Sequence, residues 1–224
     1  MFFLLILITA IPAYVLGSVN GAIITSKMFY RKDIRDYGSG NPGLTNFYRV
    51  FGKWATLLVV LIDVLKSIAP VIFGGWLFGQ FTDMVPNELW AFDRLFGVAL
   101  FGQLLAGLFV MLGHCFPVFY NFKGGKGVMA IGTIVIVIDW RLALIGWGIF
   151  IIVTLITRFI SLASMLGSAG FPTAMFILNV GGIAERSVAI LCVLLVIVRH
   201  TPNIKRIIKG EESRFSFKRK KDAT

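Results

Sequence analysis

Charge is scarce in this sequence. Asp, Glu, Lys and Arg make up 15% of its 224 residues, against about 25% in soluble globular chains. Hydrophobic residues make up 57%. A water-soluble domain cannot bury that much apolar surface, so an ordinary cytosolic enzyme and a large disordered region are both excluded. Cysteine is nearly absent, and Cys115 and Cys192 offer neither a disulfide framework nor a CxxC motif. Histidine is limited to His114 and His200. Cys115 beside His114 lacks a third and fourth ligand, so no metal site is expected, and no cofactor either. No internal repeat, low-complexity tract or Pro/Gly/Ser linker divides the chain. Residues 1–224 therefore read as one integral membrane domain.

What the chain has instead is long uncharged runs. Met1 to Ser26 carries no charge and exceeds the roughly 20 apolar residues that cross a bilayer. A cleaved signal peptide would have a basic start and a shorter apolar core. With Phe2 to Ser26 as the first span, others are expected at Trp54–Phe78, Leu95–Leu112, Val128–Ile138, Leu142–Ile156, Leu162–Asn179 and Ser187–Val198. The fold class is thus an all-α integral membrane bundle of about seven transmembrane helices. At ~1.5 Å per residue the fourth and seventh are too short to cross alone, and read as half-spanning helices or as helices extended into their flanks. The 24 glycines allow helices to approach closely.

The net charge of +11 is explained by where the cations lie. Lys27, Arg31, Lys32, Arg35, Arg49 and Lys53 follow the first span, Lys123 and Lys126 the third, and Arg158 the fifth. Nine more lie between Arg199 and Lys221, so eighteen of the 22 basic residues share one side. The other side keeps Arg94, Arg141 and Arg186 beside Asp83, Glu88, Asp93, Asp139 and Glu185. The positive-inside rule makes the basic side cytoplasmic and puts the N-terminus outside, with the basic tail 199–224 in the cytoplasm. The excess charge needs no nucleic acid partner. Asp63 and Lys66, three apart inside the second span, are expected to pair within the bundle.

Polar residues with chemical potential concentrate in three cytoplasmic segments. The first runs Gly38-Ser-Gly-Asn-Pro-Gly-Leu-Thr-Asn-Phe-Tyr-Arg49. Asn41 is expected to cap a short helix with Pro42 at its first position and Gly52 at its end. Thr45, Asn46 and Arg49 would then share a face offering hydroxyl, amide and guanidinium donors to an anionic ligand. The alternative is a capped loop with Arg49 reaching lipid phosphates. The second segment contains Gly113-His-Cys-Phe-Pro117 and Phe122-Lys-Gly-Gly-Lys-Gly127. Gly124, Gly125 and Gly127 are expected to let backbone N–H groups curl around phosphate oxygens, with Lys126 and the positive end of the next helix adding charge. The alternative is a hinge with a snorkelling lysine. A nucleotide-hydrolysing Walker A loop is disfavoured, because Tyr120 and Gly127 stand where it needs Gly and Ser or Thr. The third segment, Arg199-His-Thr-Pro-Asn-Ile through Glu212, is expected to hold a short helix capped by Thr201, begun by Pro202 and ended by Gly210. Ile204, Ile207 and Ile208 would face lipid, and Lys205, Arg206 and Lys209 headgroups or water. Anchoring leaves His200 and Asn203 unexplained.

Taken in order, Gly38-Ser-Gly-Asn-Pro-Gly-Leu-Thr-Asn with Arg49, Gly-His-x-x-Pro with Phe-Lys-Gly-Gly-Lys-Gly, and Arg-His-x-x-Asn-Ile with Gly-x-Glu resemble the cytoplasmic motifs of the bacterial acyl-phosphate:glycerol-3-phosphate acyltransferase family (PlsY). The resemblance covers essentially the whole chain, including Gly17-Ser18 and Asp63-x-x-Lys66. It departs at Leu44, where the family usually has a small Ala, and at Thr201-Pro202, which replaces a more polar pair. The resemblance implies acyl transfer from acyl phosphate to the 1-hydroxyl of glycerol 3-phosphate, at the cytoplasmic face of a bacterial inner membrane. Ser39, Arg49, Lys126, His200 and Asn203 are then expected to be catalytic, orienting two phosphates and stabilising the transition-state oxyanion. Asn41, Thr45, Asn46, Gly124, Gly125 and Gly127 are expected to bind substrate, and Glu212 to be structural. A substrate phosphate, with its second pKa of about 6, is the expected proton acceptor, and His200 the competing one. The other function classes weighed are a transporter for a phosphorylated organic anion, which would add an internal repeat and mid-membrane polar groups, and a lipid-binding scaffold. Oligomeric state is left open, with a monomer allowed.

Overall fold

A computed structural model describes residues 2–81 and 94–215, the side chains of 94–96 excepted. Asp83, Glu88 and Asp93, and Lys218 to Lys221, lie outside the described residues. Among the described residues the elements are α1 (Phe2–Gly17), α2 (Gly21–Tyr30), α3 (Leu44–Phe51), α4 (Lys53–Gln80), α5 (Arg94–Cys115), α6 (Val128–Ile138), α7 (Trp140–Thr157), α8 (Ile160–Ile177), α9 (Ile183–Arg199) and α10 (Thr201–Ile208). No strand occurs among them.

Five stretches are long and apolar enough to cross a bilayer, and α9 with α10, bent by 55°, makes a sixth if the pair is counted as one broken span. The fourth expected span is the short 11-residue helix α6. The seventh is longer than expected, 17 residues in α9. The outward faces are what a bilayer requires: Trp54, Ile156 and Ile177 are each more than 70% exposed, where a water-soluble chain would carry charge.

The fold is built around α5, which packs against α4, α1 and α9. Backbones meet there without side chains between them. A Cβ on Gly113 would strike the Tyr14 carbonyl, and one on Gly17 would strike the Val110 backbone. This is the small-residue approach that gives membrane helices their packing energy.

The first span is not the single helix expected over Phe2 to Ser26. It breaks after Gly17 and restarts at Gly21, and α2 runs on to Tyr30. Tertiary partners absorb the polar groups of the break. Asn20 Oδ1 accepts from Ile23 N (2.9 Å) and caps α2. Lys66 Nζ donates to the Val19 carbonyl (2.7 Å), and Gly21 N donates to Asp63 Oδ1 (3.3 Å). Asp63 and Lys66 do pair, at 2.7 Å and almost wholly buried. Lys66 also donates to His114 Nδ1 at 2.9 Å. One ion pair therefore ties the break in the first span to the end of α5. An apolar helix pair cannot otherwise satisfy exposed backbone groups at membrane depth.

Candidate active site

The three motif segments close around one cavity of about 1320 Å³, and Ser39, Arg49, Lys126, His200 and Asn203 all line it. Asn41, Thr45, Asn46 and Gly124 line it too, whereas Gly125 and Gly127 do not.

The first segment is a loop held from below. Asn46 is buried on α3; its Oδ1 accepts from Ser39 N and its Nδ2 donates to the Tyr37 carbonyl, both at 2.9 Å. Gly38 has φ +61, and a Cβ there would collide with Asn46 Oδ1. Asn20 Nδ2 donates to the Pro42 carbonyl (3.2 Å). Two expectations are corrected. The N-cap of α3 is Gly43 rather than Asn41, because Asn41 folds back so that its carbonyl accepts from Gly43 N. Asn46 lines the cavity with Thr45 and Arg49, but its amide is spent on the Ser39 and Tyr37 backbone and shapes the loop instead of offering donors to a ligand. Gly52 ends α3 as expected. Leu44 packs beside the buried cluster of Ala22, Ile23, Ile34, Phe47 and Val59. The Arg49 guanidinium, exposed at the cavity, has no ion-pair partner among the described residues, which leaves its donors for an anion.

The glycine loop is shaped differently from a nest of inward N–H groups. Gly125 N donates to the His114 carbonyl (3.0 Å), and Arg199 donates to the carbonyls of Gly125 (3.0 Å) and Gly124 (2.9 Å). A Cβ on Gly125 would land on the His114 ring, and one on Gly124 on the His114 carbonyl. The glycines are thus needed for close packing against the end of α5, and the Gly125 N–H is already committed. Gly127, with φ +79, starts α6 without a side-chain cap. Val128 and Met129 of that first turn line the cavity, so uncapped N–H groups and the positive helix end lie beside it.

In the third segment His200, not Thr201, is the N-cap of α10; the Thr201 hydroxyl donates to the Val198 carbonyl instead (2.7 Å). Buried His200 contacts the Val196 carbonyl through Nδ1 at 2.8 Å. A carbonyl only accepts, so Nδ1 carries the proton and Nε2 keeps its lone pair. Asn203 links two neighbours: its Oδ1 accepts from Lys126 Nζ, and its Nδ2 donates to Glu212 Oε1 (2.7 Å). Glu212 also accepts from Ser161 Oγ and from Arg206 Nε, each at 2.7 Å. Arg206 therefore pairs with protein rather than facing a headgroup, and Gly210 ends α10 as expected: with φ +72 it follows the C-cap Lys209, its N–H donates to the Ile207 carbonyl and Glu211 N to the Arg206 carbonyl. Ser164, unlike Ser161, bonds back to its own helix at Ile160.

Arg35, Arg49, Lys123, Lys126, Arg199 and Arg206 line the cavity beside Asp33, Asp36, Asp63, Glu211 and Glu212. Arg35 holds the Asp33 carboxyl well below the usual carboxylate range, against the opposing effect of burial. Burial pushes the Glu212 carboxyl up, but hydrogen bonds from Ser161, Asn203 and Arg206 outweigh it and leave it lowered. Burial lowers Lys126 to about 8, with Glu212 opposing and Arg206, Arg199 and Arg49 adding to the drop. Asp63 lines the cavity as well and is taken by Lys66.

A family model described as glycerol-3-phosphate acyltransferase matches residues 7–210. Glycerol-3-phosphate acyltransferase 2 of Bacillus anthracis is 36% identical over 208 residues, covering 93% of this chain and 98% of its own. The glycerol-3-phosphate acyltransferase of Macrococcus caseolyticus is 37% identical, covering 92% and 95%. The chain belongs to the glycerol-3-phosphate acyltransferase family. The crystal structure of PlsY, an integral membrane glycerol 3-phosphate acyltransferase, in its glycerol 3-phosphate form is similar with a TM-score of 0.80 and 31% identity, over 94% of this chain and 96% of that one. Its lysophosphatidic acid form gives 0.77 and 30%, over 94% and 95%.

As a member of the glycerol-3-phosphate acyltransferase family the chain is an integral membrane acyltransferase. One feature of its site was not singled out by sequence reasoning. Arg199 clamps the glycine loop by its carbonyls and stacks on Phe116, 5.1 Å from the ring centroid. Its sequence signal was its place at the head of the Arg-His-x-x-Asn-Ile motif, which assigned it no role. Glu212, expected to be structural, is the hub that Ser161, Asn203 and Arg206 share. The turn at Gly210, φ +72, returns it to the cavity.

Proposed function

We propose that this acyltransferase moves a fatty acyl group from acyl phosphate to the 1-hydroxyl of sn-glycerol 3-phosphate, at the cytoplasmic face of a bacterial inner membrane. The observation that carries this reading is the convergence of Arg49, Lys126 and the uncapped start of α6 on one cavity. Its inventory of cations, amides and hydroxyls suits two phosphate groups. Family membership favours an enzyme over an anion transporter. The relatives' names leave the acyl donor open, and acyl phosphate follows from the motif resemblance.

The chemistry needs little from the protein beyond positioning and charge. The glycerol 3-phosphate hydroxyl attacks the acyl carbon, the bond from that carbon to the phosphate oxygen breaks, and inorganic phosphate leaves. Arg49 and Lys126 draw off charge developing on the leaving phosphate, and Ser39 and Asn203 orient phosphate oxygens. Of the carboxylates that line the cavity, Asp33, Asp63 and Glu212 each hold a cation, which makes them poor bases, and Asp36 and Glu211 are exposed to water. The hydroxyl proton therefore goes to a substrate phosphate. His200 Nε2 serves as an acceptor that orients the hydroxyl.

Purified protein given glycerol 3-phosphate and a long-chain acyl phosphate should form lysophosphatidate and inorganic phosphate in equal amounts. Lysophosphatidate formed from acyl-CoA but not from acyl phosphate would contradict the proposed donor.

A further inference from the structure

The polar cavity continues into an apolar groove. Val128, Trp147, Phe150 and Ser164 line both. Beyond them the groove is walled by Ile131, Gly132 and Val135 of α6, Ala143 and Gly146 of α7, and Gly167, Ser168 and Phe171 of α8. On each helix these positions recur at spacings of three and four, so one face of each helix forms the wall. From Val128 to Val135 the groove follows α6 for roughly 10 Å into the bundle. The Ser164 hydroxyl is spent on the Ile160 carbonyl, which leaves that part of the wall apolar.

Trp147 stands where the two spaces join. Its indole N–H donates to the Gly132 carbonyl of α6 at 3.3 Å, and Phe150 meets its ring edge-to-face at 5.7 Å between centroids. A Cβ on Gly132 would stand 2.7 Å from Trp147 Cζ2. The indole is thus held against the one position in α6 that lacks a side chain to displace it.

We propose that this groove takes the first part of the donor's acyl chain and that the Trp147–Gly132 contact selects among acyl chains by girth. The proposal rests on the acyl-transfer reading above, because the groove opens into the cavity where the phosphate ends of the substrates would lie. A straight saturated chain passes between the indole and α8. A chain branched or bent near the carboxyl end has to displace the indole. Widening and narrowing the junction therefore shift selectivity in opposite directions, without touching glycerol 3-phosphate.

The test is a set of competition assays between a straight saturated acyl phosphate and one methyl-branched near its carboxyl end. In Trp147→Ala the ratio of kcat/KM for branched over straight donor should rise by about tenfold, the scale of one or two methylene-sized steric terms in an apolar site. In Gly132→Ala, which pushes the indole toward α8, the same ratio should fall. KM for glycerol 3-phosphate should stay within about twofold of wild type in both. If Trp147→Ala does not fold, Trp147→Leu carries the same expectation. Ratios unchanged in the Trp147 variant and in Gly132→Ala, or a change confined to the glycerol 3-phosphate KM, would overturn the proposal. Wild-type protein that transfers nothing from any acyl phosphate would instead refute the donor assignment.

Discussion

Lys126 donates from Nζ to Asn203 Oδ1, joining the loop before α6 to the first turn of α10. The bond fixes the Asn203 amide: Oδ1 faces an ammonium, and Nδ2 faces the Glu212 carboxylate. Two motifs 77 positions apart thus behave as one unit, and the charge of that unit depends on one proton on Lys126.

Because burial, with neighbouring arginines, brings Lys126 down to about 8, the ammonium is present below that pH and lost above it. The charged form is the one that attracts phosphate. We expect kcat/KM for glycerol 3-phosphate to fall as pH rises through about 8. Lys126→Arg, which stays charged, should move that fall to higher pH whatever its absolute rate. An unmoved alkaline limb in the variant would assign the proton elsewhere.

Arg49 has no ion-pair partner among the described residues and faces the cavity. Arg49→Lys should lower kcat/KM by at least about tenfold although charge is kept, because an ammonium cannot make the paired hydrogen bonds of a guanidinium to phosphate. A Lys variant with normal kinetics would reduce Arg49 to long-range electrostatics.

Gly125→Ala places a methyl on the His114 ring. Overpacking of that kind destabilises by about 1–3 kcal/mol, so thermal stability and activity should drop together. Loss of phosphate use with full stability would restore the reading of Gly125 as part of an anion nest.

The first span was legible because a run of more than 20 uncharged residues has one physical meaning. The break at Ser18–Asn20 was not, since its polar groups are satisfied by Lys66, Asp63 and Pro42 from elsewhere in the chain. Helical spacing put Thr45, Asn46 and Arg49 together but said nothing of which one turns inward, and tertiary partners at Tyr37 and Ser39 took Asn46. The glycine loop misled for a related reason: glycine serves a phosphate cradle and a close packing against His114 equally well. Glu212 acts only through a chain reversal at Gly210, which no periodicity announces.

Orientation can be checked on exposed described positions. With Cys115 and Cys192 both buried, a cysteine at Lys123 should react with membrane-impermeant reagents only from the cytoplasmic side, and one at Asn179 only from outside. Outside labelling at position 123 would move the cavity to the wrong face of the membrane.

We expect the acyl group to pass directly between two substrates held together in the cavity that Ser39, Arg49, Lys126, His200 and Asn203 line. An acyl-enzyme would gain little, because the donor already carries a good leaving group, and Ser39 on its exposed loop has its backbone N–H tied to Asn46. The most direct test measures initial rates against both substrates, together with acyl label retained on protein denatured after exposure to acyl phosphate alone. Direct transfer gives intersecting double-reciprocal lines and no retained label; parallel lines with an acyl ester on Ser39 would rule it out.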